Sequence, residues 1–512
     1  MARKLAIVAL VALSAALSLT LSGPAASPGA GQVSAASPKP GDLDATFDGD
    51  GKALTDLGHS DAMEDLAVQR DGKIVAVGQT QDGFTTHFAV VRYERNGSLD
   101  PSFGAGGKVI TDFGRIENRA FAVALQSDGK IVVAGLAGTG AASTGSDFAL
   151  ARYNVDGSLD ASFGIGGKVV TDFNLTHELV FATAIQPDGR IVVLGSTRPF
   201  GPVTTNPYDF ALARYNSNGS LDTSFGGDGK VSTSFDPGWT DRGWGLALTR
   251  DGKIVAAGYA YNPTAPGPAV IDVARYNPDG SLDGSFGGDG TVVTASSDSS
   301  AYGVVVQPDG RIVVAGYADL KFALVRYTVD GNLDTTFGTG GIASQGFGTK
   351  VAWAEALARQ PDGKLVAAGV TRPSDGSLDY SFAVARFEAS GKIDKSFGGG
   401  AVTTDFGAST TDEGRGLALQ PDGKIVAGGY SSGDFALARY LAAPSCRVPN
   451  LLGKKLGVAK SSITKAHCSV GRVKRRASKK AKNRVIAQSP KAGATLPNLS
   501  KVNLVVSKGR RP

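Results

Sequence analysis

Seven acidic side chains are the first candidates for chemistry in this sequence of 512 residues: Glu64, Asp65, Glu117, Glu178, Glu355, Asp412 and Glu413. All stand in segments leading into short apolar runs. Paired carboxyls held at different protonation states can act as general acid and base, but no fixed spacing pairs any two of these. Nucleophilic and metal chemistry find less support. The chain before Cys446 has no cysteine, and its three histidines (His59, His87 and His177) fall in neither H-E-x-x-H nor G-x-S-x-G. The GDGK turns at Gly49–Lys52 and Gly227–Lys230 lack the spaced oxygen ligands of a calcium loop. No metal and no cofactor is expected. Aromatic rings are the better binding candidates, because they offer contact area at low entropic cost. Trp239 and Trp244 lie in DPGWTDRGW, Trp353 in KVAWAE, and Tyr208, Tyr259 and Tyr261 in irregular loops. Packing between neighbouring units is the structural alternative for Trp244 and Trp353.

The third group is cationic. Residues 446–512 hold 18 of the 53 Lys and Arg residues and none of the 47 acidic ones, which leaves the remainder with 35 against 47, a net charge of −12. These are two modules of opposite electrostatic character. Arg472, Lys474, Arg475, Arg476, Lys479 and Lys480 form the densest stretch. With no aromatic interleaved for base stacking, an anionic cell-wall polymer is a better partner than nucleic acid. Cys446 and Cys468, the protein's two cysteines, are expected to pair in an oxidising compartment.

The elements that must position these residues are repetitive. FALARYNVDGSLD (Phe148–Asp160) returns in recognisable form from Phe88, Phe210, Ile271, Phe322 and Phe382, and a seventh copy at Phe435 breaks off after its tyrosine. A second signal of the form QPDGRIVVAG (Gln307–Gly316) also recurs seven times, with turn glycines at Gly72, Gly129, Gly189, Gly252, Gly310, Gly363 and Gly423. Short Val/Ile/Phe runs punctuated by Asp-Gly read as antiparallel hairpins. Four such strands about every 60 residues predict propeller blades rather than an open solenoid. Gly41–Leu57 supplies a connector and a fourth strand with no preceding three, while the last unit lacks those pieces. Strand 51–57 is therefore expected to close the seventh blade beside Phe435–Tyr440, removing two sheet edges. Arg92, Arg152, Arg214, Arg275, Arg326, Arg386 and Arg439, with an aspartate in each connector, read as a bidentate brace in every blade. Strand direction puts the stereotyped turns on one face of the disc and the irregular loops, with the tryptophans, on the other, where binding resides.

The N-terminus has a basic start (MARK), an apolar run (Leu5–Leu21) and small residues after it, the pattern of an export signal cleaved between about residues 25 and 36. Organisation is read as signal peptide and start of linker (1–36), propeller (37–441), linker (442–445) and a small α+β domain (446–510).

The motifs FALARYNVDGSLD, QPDGRIVVAG and SFGGDGKV (Ser224–Val231) resemble the delta-60 bacterial repeats, relatives of the NHL-type propeller repeats, over Gly41 to Leu441. That resemblance implies an all-β, seven-bladed propeller in a secreted or surface protein without a general catalytic motif. The tail, with VPNLLGK (Val448–Lys454), SPKAG (Ser489–Gly493) and VNLVVSKG (Val502–Gly509), resembles a PASTA domain, which implies recognition of peptidoglycan fragments. The combined reading is a secreted, wall-associated, non-enzymatic binding or scaffold protein. It is expected to be monomeric, free of membrane after signal cleavage, and open to a glycan or protein ligand on the variable face. The alternative is a secreted propeller hydrolase or lyase acting on polysaccharide.

Overall fold

The computed structural model describes residues 38–139, 145–173, 176–199, 207–265, 267–295, 298–407, 410–442, 446–496 and 500–509. The export-signal reading (1–36) lies outside them, as does most of the linker. No described helix is long and apolar enough to cross a membrane.

The repeats fold into seven four-stranded antiparallel sheets. Blade 1 comprises Ser60–Val68, Ile74–Asp82, Thr85–Tyr93 and Lys108–Thr111 in that order. Its first turn uses Gly72 at φ +88°, while Asp71 accepts a bond from the Lys73 N–H at 3.0 Å, which is the chemistry a tight turn requires. First strands of successive blades contact one another around the ring, including the last against the first, so they are the innermost. In blade 7, Asp412–Leu419, Ile425–Ser431 and Asp434–Tyr440 are completed by Lys52–Thr55, in register from Lys52 opposite Ala438 to Thr55 opposite Phe435.

Each repeated polar residue has a defined task. In blade 2, Asp160 receives Arg152 Nε at 2.7 Å and Lys130 Nζ at 2.8 Å. Arg152 also donates Nη2 to Ser162 Oγ at 3.2 Å and Nη1 to the Ser217 carbonyl in blade 3. Its guanidinium stacks on Phe163 at 4.5 Å. The adjacent Tyr153 reaches back to Thr111 of blade 1 at 2.8 Å. The Arg-Tyr pair thus ties every blade forward and backward, except that Phe387 takes the tyrosine's place in blade 6. At the seam, Asp44 serves Arg439 at 2.9 Å and Lys424 at 2.8 Å, and Tyr93 donates to Thr55 at 2.9 Å. The bidentate brace expected from sequence is corrected here. One carboxylate oxygen takes both cations, because Ser162 N–H and Oγ occupy the other at 3.1 and 2.7 Å. The remaining arms of the arginine are left to bridge blades.

The C-terminal domain packs helix α1 (Leu456–Lys465) on a three-stranded sheet ordered Ser469–Arg476, Lys501–Ser507, Val485–Ser489. Ala459 and Ile463, four apart on one helical face, are fully buried against Val485, Val502, Leu504 and Val506. Cys446 and Cys468 form the expected disulfide, with Cα atoms 4.7 Å apart and a sequence separation of 22. A loop of that size contributes about 3 kcal/mol by constraining the unfolded chain.

Candidate functional site

The seven innermost strands share one irregularity. Each pairs with its second strand in regular register except at one residue that has no partner: Glu64, Phe121, Phe181, Trp244, Tyr302, Glu355 and Arg415. An extra residue of this kind is a β-bulge, which re-aims its side chain and sharpens the local twist. All seven line one central cavity of about 230 Å³. The bulge also accounts for the last glycine of the IVVAG motif. A Cβ built on Gly78, Gly135, Gly195, Gly258, Gly316, Gly369 or Gly429 would lie 1.7–2.1 Å from a carbonyl oxygen of the bulged strand. Any larger residue there would collide with that carbonyl.

The ring divides chemically. Blades 2 to 5 contribute Phe121, Phe181, Trp244 and Tyr302. Trp244 stacks on Phe181 with centroids 3.8 Å apart and meets Tyr302 edge-on at 5.3 Å. Tyr259 extends this group through Tyr302 at 5.8 Å, and Tyr261 lies beyond it at 6.4 Å. Blades 6, 7 and 1 contribute charge. Arg415 meets Glu413 at 2.5 Å, Glu355 at 3.3 Å and Glu64 at 3.9 Å, and Trp353 Nε1 donates to Glu355 at 2.7 Å. Burial pushes the carboxyls of Glu64 and Glu355 above their usual range, against the pull of Arg415. The arginine itself is held charged by its three carboxylates, although burial opposes it.

The structure sorts the sequence candidates accordingly. Trp244, Tyr259 and Tyr261 belong to the aromatic arc, and Trp353 reaches the charged arc through Glu355. Trp353 also meets Tyr380 at 6.2 Å. Tyr208 stands apart under Arg242, 3.7 Å from the ring centroid, with its hydroxyl 3.3 Å from His177. Trp239 makes no ring contact among the described residues and sits in the crossover before Thr240–Leu248, its N–H bonded to the Asp236 carbonyl. Of the seven acidic candidates, Glu64, Glu355 and Glu413 converge on Arg415. Asp65 instead accepts the Val123 and Leu66 N–H groups at 2.9 and 2.7 Å, and burial raises it to about 7. Glu117 lies 3.7 Å from Arg119. Glu178 and Asp412 hold the blade crossovers by accepting the Phe173 and Phe406 N–H groups at 3.0 and 2.8 Å. Phe121, Phe181, Tyr302 and Arg415 were missed by motif reading. Their signal is positional: each stands five residues before the Gln or Thr that opens the first turn.

Another buried acid stands in a third strand, away from the ring. Asp272 replaces the alanine that the other blades carry at Ala89, Ala149, Ala211, Ala323, Ala383 and Ala436, and neither of its oxygens has a hydrogen-bond partner. Burial first, then the charges of Asp241 and Asp236, push its carboxyl well above the usual range. An acid protonated in the folded state costs stability as pH rises through its unfolded value of about 3.9 and onward. Asp272→Ala is therefore expected to stabilise the protein by about 1–3 kcal/mol at pH 8, in line with the cost of an unsatisfied buried polar group. The gain should shrink toward pH 4, as read by thermal melting.

On the C-terminal domain, Arg472, Lys474, Arg475 and Arg476 lie on strand Ser469–Arg476, which is an edge of its sheet, and Lys479 and Lys480 follow it. All six are exposed. Arg475 donates to Asn483 at 2.7 Å, and no described salt bridge involves any of the six. Lysine and arginine on an edge strand also discourage edge-to-edge pairing.

Comparison with known families matches a family described as "Domain of unknown function (DUF5122) beta-propeller" at residues 69–103, 126–163, 186–225, 249–286, 307–337, 360–397 and 420–442, and the PASTA domain at 447–508. No curated protein sequence matches. Among solved structures, a streptogramin B lyase is similar at 10% identity and TM-score 0.42, covering 76% of this chain and 97% of that one. A polysaccharide lyase, Uly1, is similar at 12% identity and TM-score 0.43, covering 76% and 90%. An alpha-L-arabinanase of Penicillium chrysogenum complexed with arabinobiose is similar at 10% identity and TM-score 0.40, covering 66% and 94%. Likenesses this distant do not bear on activity.

Proposed function

The chain joins seven DUF5122 beta-propeller repeats to one PASTA domain, and on that premise we propose a secreted binding protein that is retained at the bacterial cell wall. Its tail holds the wall, and its propeller presents the central ring to a glycan or protein ligand. The observation that carries this reading is the row of six exposed cations on and beside one PASTA edge strand, in a domain without a single acidic residue. Wall polymers are polyanions, and contacts of this kind weaken as salt shortens the Debye length from about 10 Å at 0.1 M to about 3 Å at 1 M. Replacing Lys474, Arg475, Arg476, Lys479 and Lys480 with Gln in the full chain is expected to abolish cosedimentation with isolated walls at low salt. Undiminished binding by that variant excludes charge capture. The ring itself is non-catalytic in this reading and works by stacking and hydrogen bonding.

A second reading, a hydrolase or lyase acting on polysaccharide, is favoured by the two partly buried carboxyls, both pushed above their usual range, that flank Arg415. Glycan cleavage by the wild type that Glu355→Gln removes, with wall binding intact, selects it over the first.

A further inference from the structure

The central cavity holds more carboxylate than its cations take up. On the innermost strands, Glu64, Glu117, Glu355 and Glu413 stand with Arg119, Arg242 and Arg415. Arg242 turns onto the Tyr208 ring at 3.7 Å, and Arg119 is engaged by Gln79 and Glu117. Asp65, also at the cavity wall, is occupied by two backbone N–H groups. Arg415 is left to three carboxylates, and it hydrogen-bonds only two of them, Glu413 and Glu355. Glu64 has one ion-pair contact among the described residues, Arg415 Nε at 3.9 Å, which is too long for a hydrogen bond. Neither of its oxygens is hydrogen-bonded among those residues, although its side chain is only 13% exposed. The Glu355 side chain is 8% exposed. Its Oε1 accepts from both Trp353 and Arg415, while its Oε2 accepts no described hydrogen bond.

The rest of the same cavity is aromatic and aliphatic. The four rings of blades 2 to 5 form one wall, and Leu246, Leu357 and Leu417 adjoin them. Aromatic faces attract a cation placed within about 6 Å of the ring centroid. Unbonded carboxylate oxygens take hydrogen-bond donors, most strongly charged ones. The two walls therefore agree on a cationic donor with an apolar attachment. The cavity volume of about 230 Å³ falls below the roughly 300–1,000 Å³ of pockets that enclose a drug-sized ligand, so it admits one side chain rather than a polymer segment.

We propose that the cavity receives the ammonium head of a lysine side chain from a partner protein. This assignment rests on the reading of the ring as a non-catalytic binding site. The ammonium N–H groups donate to Glu64 and to Glu355 Oε2, the rings hold the charge from the other side, and the four-carbon stem lies along the leucines. A quaternary ammonium satisfies the rings but has no N–H for the carboxylates. An amino sugar brings several hydroxyl groups against a wall with few hydrogen-bonding partners, which is costly.

The test titrates the full chain calorimetrically with Nα-acetyl-lysine methylamide at neutral pH and low salt. One site per chain is expected. The 2-aminoheptanoic acid analogue, with a methyl where lysine has its ammonium, should bind about tenfold more weakly, the discrimination of one charged hydrogen bond. Choline and glucosamine should also bind more weakly than the lysine analogue. Glu64→Gln should lower affinity for the lysine analogue by a similar factor of about ten without lowering Tm, since the carboxylate has no hydrogen bond to lose. If that variant does not fold, the comparison of lysine with its methyl analogue on the wild type decides. The proposal is overturned if the lysine analogue does not bind, if the methyl analogue equals it, or if a folded Glu64→Gln binds as the wild type does. Tighter binding of choline or glucosamine also overturns it and assigns the cavity to a quaternary ammonium or an amino sugar. A neutral oligosaccharide that binds where every amine fails overturns this proposal and leaves the ring a binding site, whereas glycan cleavage removed by Glu355→Gln overturns the binding reading itself.

Discussion

A chain lacking residues 41–57 is expected to lose cooperative unfolding altogether. The segment contributes one short strand, but it withdraws several things at once. Phe47 and Ala53 leave the seam core. Asp44 leaves Arg439, which is 3% exposed, and Lys424 without their carboxylate. Removing one partner of a buried ion pair costs about 3–5 kcal/mol, and deleting a fully buried phenylalanine costs a similar 3–5 kcal/mol. Tyr93 also loses Thr55 as its acceptor, and Asp434–Tyr440 becomes an exposed edge. The total approaches the 5–15 kcal/mol by which whole domains are stable. Differential scanning calorimetry of the truncated chain should show a broad, low transition or aggregation. A melt superimposable on the parent's would show that the ring holds without closure.

Asp160→Ala is expected to be the most damaging single substitution at a polar site in blade 2. It strands Arg152, 5% exposed, and Lys130 without a counter-charge and removes the cap on Ser162. The expected loss is about 3–5 kcal/mol. Its pH dependence has a definite sign. Burial works to raise the Asp160 carboxyl, but Lys130, Ser162 and Arg152 together hold it below the ordinary range. A depressed acid contributes stability that is full above its unfolded pKa of about 3.9 and is lost as pH falls through the folded value. The gap between variant and wild type should therefore be widest at neutral pH and narrow below pH 4. Urea titrations at pH 7 and pH 3 measure it, and an equal gap at both would contradict the ionic account.

Much of this architecture was legible because the chain repeats itself. Blade number, the four-strand unit and the partner of the N-terminal strand follow from motifs that recur in order, and Asp44 could be matched to Arg439 by counting missing pieces. The division of labour within the brace was not legible. Whether an arginine faces one carboxylate with two arms or spreads them over a serine and the next blade's carbonyl depends on inter-blade geometry, which spacing does not encode. The central ring escaped for a different reason. Its seven positions carry Glu, Phe, Phe, Trp, Tyr, Glu and Arg, so a search for recurring residue types passes over them, although the glycine opposite each one recurs seven times. Trp239 and Trp244 stand only five positions apart in DPGWTDRGW, yet one lies in a crossover and the other in the channel, a difference that the inter-blade packing alternative for Trp244 anticipates only in part.

The functional account rests on a division of labour between an acidic propeller and a basic tail, and one measurement addresses it directly. Residues 446–512 and the propeller ending at residue 441 are produced separately and each is cosedimented with isolated cell walls at 0.1 M and 1 M salt. The tail alone should bind nearly as well as the intact chain at low salt and weaken at high salt, while the propeller alone should remain largely in solution. Wall binding by the isolated propeller equal to that of the intact protein would contradict the account and reduce the tail to a spacer.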